Sequence, residues 1–183
     1  KIPYNLYGGF SYLKRKEIKD IISYFRFIID DTKLAHFKRI IDRPSRGIGD
    51  KTIEKIESIM QETGTNVLGA IKVLYKANPS TKNKSLDEFR QIIEGLQESI
   101  EKMSLVSFFD ELINKTGYLE MLKEEDTEEA NRVNNLMEFK SILYKVEETF
   151  ENQDLSQKDK IQTSLDEIIL DQSYGDEDKK EGV

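Results

Sequence analysis

The sequence contains no cysteine, and only three prolines and ten glycines occur among its 183 residues. Without cysteine the chain can form neither disulfides nor thiolate metal sites. It also lacks any run of about 18 apolar residues, the length that a membrane-spanning helix needs. The start, KIPYNLYGGF, has no apolar signal-peptide core and no initiator methionine. We therefore expect a cytoplasmic protein, not bound to a membrane, whose sequence is cut from a longer chain.

What the sequence does contain is charge and helical periodicity. Charged residues make up 34 % of the chain, compared with about 25 % in average domains. Apolar residues recur at helical spacing, and the residues of one such face are Ile18, Ile21, Ile22, Phe25 and Ile29. The pattern predicts an all-α bundle of several helices. One exception is the alternating stretch IPYNLY at 2–7, which predicts a short β-strand.

Local signals predict where the helices begin and end. Asp50 and Ser104 are candidate N-caps, and Gly64 and Gly117 are candidate helix ends. Three Ser/Asp-x-x-Glu capping boxes predict further helix starts. These boxes are SLDE at 85–88, DTEE at 126–129 and SLDE at 164–167. We expect loops at 78–84 and 151–160.

The charge is unevenly distributed along the chain. The net charge of −7 by itself argues against a nucleic-acid-binding protein. Residues 1–60, however, contain 13 Lys and Arg against 8 Asp and Glu, a net of +5, so the remainder has a net of −12. An acidic total can therefore include a basic face that meets a polyanion.

Residues that could perform catalysis are hard to find. The GGF at 8–10 lacks the lysine and the Ser/Thr of a phosphate-binding loop. The single histidine, His36, lies within a predicted helix, where we expect a surface or half-buried residue because a histidine base needs an orienting partner. Most carboxylates lie three or four residues from lysines, as on solvated helix faces. We therefore predict no catalytic residue and no metal site.

One turn could bind a phosphate. The stretch RPSRGIGDKTIEKI, residues 43–56, holds two glycines directly before a predicted helix. Glycine permits backbone angles that let successive N–H groups point toward one anion, and a helix N-terminus adds its dipole. Arg46 and Lys51 flank the turn, and Lys38, Arg39 and Arg43 lie nearby. These residues favour binding to DNA phosphates, whereas a plain corner between two helices would need the same glycines for geometry alone.

The turn resembles a helix–hairpin–helix element, and a wider resemblance joins it. IPYNLYGGFSYLKRKEIKDIISYFR is similar to the pattern IPYxxxGGxxFxxRxEIKDxLAYLR of superfamily 1A DNA helicases, the UvrD, PcrA and Rep group. RPSRGIGDKTIEKI resembles the GIG segment of their 2B subdomain, and NKTGYLEMLK and RVNNLMEF resemble later 2B segments in the same order. Tyr12, Ile22, Ser23 and Phe25 depart from the family pattern, which favours Phe, Leu, Ala and Leu there.

The resemblance implies a division of the chain and a function. Residues 1–29 would be a margin of subdomain 2A, with the strand as its remnant. Residues 30–172 would form the helical 2B subdomain, and 173–183 an acidic flexible tail that leads back to 2A. The parent enzyme would use ATP and Mg²⁺, held outside this fragment, to move 3′ to 5′ on single-stranded DNA. The 2B subdomain would contact duplex DNA ahead of the fork and regulate unwinding by rotating.

The resemblance also implies which residues contact DNA. The backbone of Gly47, Ile48 and Gly49 and the side chains of Lys51 and Thr52 would meet duplex phosphates, beside Arg46. Further residues match other family positions. Lys82, Lys84 and Ser85 correspond to a second duplex contact, although a solvated loop would equally explain these residues. Arg15, Glu17 and Lys19 correspond to a helicase motif in the 2A margin.

Two classes of function follow. In the first, the chain is a non-catalytic part of a DNA helicase whose partners are fork or junction DNA and its own 2A subdomain, with repair or replication proteins as further candidates. In the second, the charged helical surface docks a partner protein and the glycine turn is purely structural. DNA binding predicts a salt-sensitive affinity that falls when Lys51 or Arg46 is neutralised, whereas partner docking predicts no such dependence.

Overall fold

The structure is a computed structural model that describes residues 13–127 and 131–178, and their side chains up to residue 167. Within these ranges it contains nine α-helices and no β-strand. We number them α1 (Lys16–Ile29), α2 (Leu34–Ile40), α3 (Asp50–Thr63), α4 (Val67–Ala77), α5 (Thr81–Ser99), α6 (Leu105–Lys115), α7 (Tyr118–Glu125), α8 (Arg132–Thr149) and α9 (Gln157–Asp178). The predicted all-helical fold is confirmed for the described ranges, whereas the predicted strand at 2–7 lies outside them.

Helix α1 lies at the centre of the bundle. It packs against α2, α5, α8 and α9, and Ile18, Ile21 and Phe25 on its predicted inner face are fully buried. Two clusters of aromatic rings extend this core. Phe27, Phe37 and Phe89 join α1, α2 and α5, while Phe25, Phe108, Phe109 and Phe139 join α1, α6 and α8. Apolar burial of this extent is the main source of stability in a domain.

Two of the predicted capping boxes lie inside helices instead of at their starts. Helix α5 begins at Thr81, because the Ser80 side chain accepts a hydrogen bond from the Asn83 N–H at 3.2 Å. Helix α9 begins at Gln157, where the Ser156 hydroxyl accepts from the Asp159 N–H at 3.0 Å. The predicted loops at 78–84 and 151–160 are therefore partly helical. In each case an earlier serine caps the helix, and the later Ser-x-x-Glu falls within it.

The other predicted starts have mixed outcomes. Ser104 caps α6 as predicted, since its side chain accepts from the Ser107 N–H. The N-cap of α3 is Gly49 instead of Asp50, which is the first helical residue. Helix α8 begins at Arg132 instead of at the predicted box. The Asp126 carboxylate accepts from the Arg132 and Val133 N–H groups at 2.9 and 3.2 Å, so it caps this helix from outside.

The remaining predictions concern helix ends and the division into domains. Gly64 and Gly117 adopt left-handed φ values of 68° and 75°, at the end of α3 and between α6 and α7, as predicted for helix ends. Helix α7 was not predicted. Helix α9 continues to Asp178, beyond the predicted start of a tail at 173. The division into 2A margins and a 2B subdomain stays a prediction, although α1 shares one core with the helices that follow it.

Candidate nucleic-acid interface

The glycine turn connects the end of α2 to the start of α3. Gly47 has φ +69°, in the left-handed region where a β-carbon is strained. Gly49 has φ −106° and ψ −177°, extended values that any residue adopts. A β-carbon added at either position would meet nothing within 4 Å. The backbone therefore requires glycine only at Gly47, and the open side of Gly49 leaves the start of α3 accessible.

The chain's own carboxylate already occupies part of the predicted anion nest. Asp42 Oδ1 accepts from the backbone N–H of Arg46 at 2.6 Å and from that of Ile48 at 3.4 Å. The Ser45 hydroxyl lies 3.4 Å from both carboxylate oxygens. Ile48 itself is only 5 % exposed. The Ile48 amide therefore faces an internal anion, and its contact with an external phosphate stays a prediction.

The start of α3 presents free backbone donors. Its N-cap, Gly49, has no side chain to accept a hydrogen bond, and no described residue accepts from the N–H groups of Gly49, Asp50 or Lys51. These groups lie at the positive end of the helix dipole. Lys51 and Lys55 are exposed and form no ion pair with a described residue. Asp50, also in the first turn, opposes an incoming anion, so the local field is mixed.

Two of the predicted contact residues point inward. The Arg46 guanidinium lies 4.9 Å from the centre of the Phe89 ring. It donates at 2.8 to 3.3 Å to five oxygens, the carbonyls of Ile40, Ile41, Pro44 and Thr116 and the hydroxyl of Tyr24. Thr52 is only 5 % exposed. Both side chains are engaged within the fold, and their predicted contact with a phosphate stays a prediction.

The second predicted contact lies beside the turn. Lys82 and Lys84 are exposed in the first turn of α5 and form no ion pair with a described residue. Ser85 is half-buried, and its hydroxyl lies 3.5 Å from the Arg46 carbonyl oxygen. The structure thus brings the start of α5 next to the glycine turn, although the two segments are more than thirty residues apart in the sequence.

The basic residues before the turn are engaged in ion pairs. Lys38 Nζ lies 2.6 Å from Glu57, and Arg39 Nε lies 2.9 Å from Asp20. Arg43 contacts Asp20 at 3.3 Å and also pairs through two hydrogen bonds, at 3.0 and 3.3 Å, with Glu125. Hydrogen bonding from Arg43 holds the pKa of the Glu125 carboxyl below its usual range. These three cations therefore stabilise the bundle, and the expectation that they favour DNA binding is weakened.

Asp20 is the centre of a buried polar cluster that the sequence did not indicate. Its side chain is 1 % exposed and accepts a hydrogen bond from the Tyr118 hydroxyl at 2.8 Å, in addition to its contacts with Arg39 and Arg43. Burial, followed by the charge of Asp20, raises the pKa of Tyr118. The only available signal was an acid on an otherwise apolar helix face in EIKDII.

Two of the residues that the resemblance assigns to a helicase motif, Arg15 and Glu17, meet a segment from the other half of the chain. The Asn135 side chain donates to Glu17 Oε1 at 2.7 Å and accepts a hydrogen bond from Arg15. Glu17 is 5 % exposed, whereas Lys19 is exposed and outside this network. Asn135 belongs to RVNNLMEF, so two segments that carry the family resemblance contact each other. The sequence pattern does not indicate this contact, because it joins residues 118 positions apart.

The remaining candidates for a catalytic or metal centre are the histidine and the acidic residues. His36 is half-buried in α2 with Nδ1 3.2 Å from the Ser23 hydroxyl, and burial lowers the pKa of its imidazole. Among the described side chains, those of residues 13–127 and 131–167, no group of three or more acidic or histidine residues could hold a metal ion. None of the nine described helices combines the length and the apolar character of a membrane span.

Comparison with known proteins defines the class. The family model of the UvrD-like helicase C-terminal domain matches residues 1–182, so the chain belongs to this family.

Particular relatives are helicases by name. The chain is 37 % identical over 156 residues to the ATP-dependent DNA helicase PcrA of Bacillus subtilis, a match that covers 84 % of this chain and 21 % of the relative. It is 34 % identical over 149 residues to PcrA of Staphylococcus epidermidis, covering 80 % and 20 %. It is 33 % identical over 141 residues to DNA helicase II of Haemophilus influenzae, covering 75 % and 19 %. The chain spans about a fifth of the length of these relatives.

Proposed function

We propose that this chain is the 2B subdomain, with margins of 2A, of a cytoplasmic ATP-dependent 3′–5′ DNA helicase. In this proposal ATP and Mg²⁺ bind elsewhere in the parent enzyme, and the described helices perform no chemistry. Their role is to contact the backbone of duplex DNA at a fork or junction, without reading the base sequence, and to regulate unwinding by rotating against the motor. The family match and the helicase relatives support the parent activity.

The observation that carries the duplex contact is the uncapped start of α3. Its free N–H groups open beside the exposed side chain of Lys51, which together provide backbone donors and a positive charge for one phosphate. Lys82 and Lys84 at the neighbouring start of α5 offer charge to a second phosphate. Contacts of this kind are independent of base sequence and lose affinity steeply with salt.

Titration with a fluorescent hairpin duplex tests this proposal. With two or three phosphate contacts we expect a Kd on the order of 10⁻⁴ M at physiological salt and tighter binding at low salt. Lys51→Gln should lower the slope of log K against log salt by about 0.9, the contribution of one phosphate. The matched control is Lys102→Gln, which removes another exposed lysine, three residues after the end of α5, that forms no ion pair with a described residue. Equal slopes for the two variants would place the duplex elsewhere.

A specific observation also favours the alternative, a site for a partner protein. A groove of about 650 Å³ lies between the turn and the α6–α7 corner. Glu120 and Glu124, one turn apart on α7, line it together with Met121 and form no ion pair with a described residue. Such a groove suits a basic peptide segment. If a lysine-rich peptide binds the wild type but not a Glu120→Gln, Glu124→Gln variant, while Lys51→Gln leaves duplex binding unchanged, this function replaces the first.

A further inference from the structure

We propose that Arg46 is a positioning residue that joins the glycine turn and the start of α5 into one rigid surface for two phosphates. The turn and the α5 lysines come from separate segments, so each could contact DNA independently. The Arg46 side chain, however, contacts the end of α2, which precedes the turn, and also the Phe89 ring of α5. The proposal rests on the proposed function for its DNA part, whereas the positioning itself can be measured without DNA.

The first step is the contact between Arg46 and the end of α2. Its Nη1 donates to the carbonyls of Ile40, Ile41 and Pro44 at 3.2, 2.8 and 3.1 Å. Carbonyls at the end of a helix lack partners within that helix, and a cation is favoured there by the helix dipole. The Asp42 carboxylate holds the Arg46 N–H at 2.6 Å from the same helix end. Both ends of Arg46 are thus fixed directly before Gly47.

The second step is the contact between Arg46 and α5. The guanidinium lies over the Phe89 ring at 4.9 Å, within the range of a cation–π interaction. The Ser85 hydroxyl lies 3.5 Å from the Arg46 carbonyl and donates to it. Ser85 directly follows Lys84, and Phe89 lies one helical turn later. The start of α5 is therefore held against the same residue that holds the turn.

The third step is that the geometry needs a guanidinium. Nη2 donates to the Tyr24 hydroxyl and the Thr116 carbonyl, each at 3.3 Å, in a different direction from Nη1. A planar fork can serve both sets of acceptors and also stack on a ring, whereas a lysine ammonium is a single point. Arg46→Lys therefore keeps the charge but loses the connection between the segments.

The experiment combines amide NMR signals with the salt dependence of duplex binding in the 183-residue chain. Arg46→Lys and Arg46→Gln are compared with Arg90→Lys, a matched control in which another partly buried arginine of α5, paired with Asp87 and Glu94, is changed. Circular dichroism checks that each variant folds. Ser85→Ala provides a second test that keeps the guanidinium and removes only the hydroxyl link to the turn.

In Arg46→Lys we expect the amide signals of Gly47, Gly49 and Lys84 to shift together, and the salt slope to fall by about 0.9 although no charge is lost. Arg90→Lys should change neither. If the Arg46 variants do not fold, Ser85→Ala must still shift the Gly47 and Lys84 signals together.

Two results would overturn the inference. One is that the turn signals stay in place in Arg46→Lys and in Ser85→Ala. The other is that Arg46→Gln lowers the slope while Arg46→Lys does not, which is the behaviour of a direct phosphate contact. If the wild-type chain binds no duplex at all, the proposed function fails, and the amide signals alone decide whether Arg46 positions the two segments.

Discussion

Replacing Gly49 with aspartate should stabilise the fold and weaken DNA binding at the same time. Gly49 is the N-cap of α3, with the extended backbone that N-caps adopt, and a side chain there has open space. An aspartate carboxylate in this position accepts from the free N–H groups of the first turn. Those are the groups that the proposed function assigns to a phosphate, so the carboxylate and the phosphate compete for the same donors.

The expected changes in stability and in duplex affinity follow from the contribution of the N-cap and from the hydrogen bonds to the phosphate. Aspartate is better than glycine at an N-cap by a few tenths of a kcal/mol, and its charge adds about 0.3–1 kcal/mol at a helix N-terminus. Repulsion from the neighbouring Asp50 carboxylate keeps the gain in stability near the lower end of this range. Because 1 kcal/mol corresponds to about 2–4 °C in a domain of this size, we expect Tm to rise by about 1–3 °C. Each hydrogen bond from an N–H to a charged acceptor contributes about 1.5–3 kcal/mol, so losing one lowers duplex affinity tenfold or more.

Thermal unfolding by circular dichroism and duplex titration by fluorescence anisotropy measure the two effects on the same samples. Gln153→Glu adds an equal charge in the exposed loop after α8 and controls for net charge. Gly49→Asn caps the same N–H groups without charge and should fall between wild type and Gly49→Asp in affinity. A Gly49→Asp chain with a raised Tm and unchanged duplex affinity would refute the assignment of a phosphate to the start of α3.

Three further substitutions test the structure itself. Gly47→Ala forces a β-carbon into the left-handed region and should lower the free energy of unfolding by about 1–2 kcal/mol, measured as a lower Tm. Gly47→Asn should lower it less, because asparagine tolerates this region. Equal Tm values for the two variants would contradict the turn geometry. Asp20→Asn removes the buried carboxylate that contacts Arg39, Arg43 and the Tyr118 hydroxyl. Because Arg43 keeps its pairing with Glu125, the free energy of unfolding in urea should fall by about 1–3 kcal/mol; an unchanged value would show that the cluster is dispensable. The hydrogen bond from Arg90 holds the pKa of Asp87 below its ordinary value of 3.8, so its contribution to stability is complete above that pH and is lost as the pH falls below it. An Asp87→Asn chain should therefore lose less stability than wild type between pH 5 and pH 2, and parallel pH profiles would be inconsistent with this.

The buried faces of the helices could be predicted from the sequence, but several helix starts could not, although Ser104 caps α6 as predicted. Ile18, Ile21 and Phe25 are buried because a helix turns one face inward, and periodicity alone indicates that face. A helix start depends on which of several competing acceptors reaches the free N–H groups. At α8 that acceptor is Asp126, six residues before Arg132, a separation that no local capping pattern includes.

The same distinction applies to the candidate site. The need for glycine at Gly47 follows from a local backbone angle, and the turn was found from two glycines before a helix. The inward direction of Arg46 depends instead on Tyr24 and Thr116, which are 22 and 70 residues away in the sequence. In the sequence, an arginine beside the turn therefore predicts a DNA contact, whereas in the fold Arg46 supports the turn. Only its contacts with residues distant in the sequence distinguish these two roles.

Weak binding by this chain alone is compatible with an effective contact in the parent enzyme that we propose. Two or three phosphate contacts give a Kd on the order of 10⁻⁴ M, too weak to recruit DNA by themselves. In a helicase already bound to the single strand, the adjoining duplex is tethered, and short tethers give effective concentrations in the millimolar range. A site with this Kd would then be occupied about nine-tenths of the time and could still release as the enzyme advances. A rigid turn, fixed by Asp42 and Arg46 before DNA arrives, adds to this because little ordering remains to oppose binding.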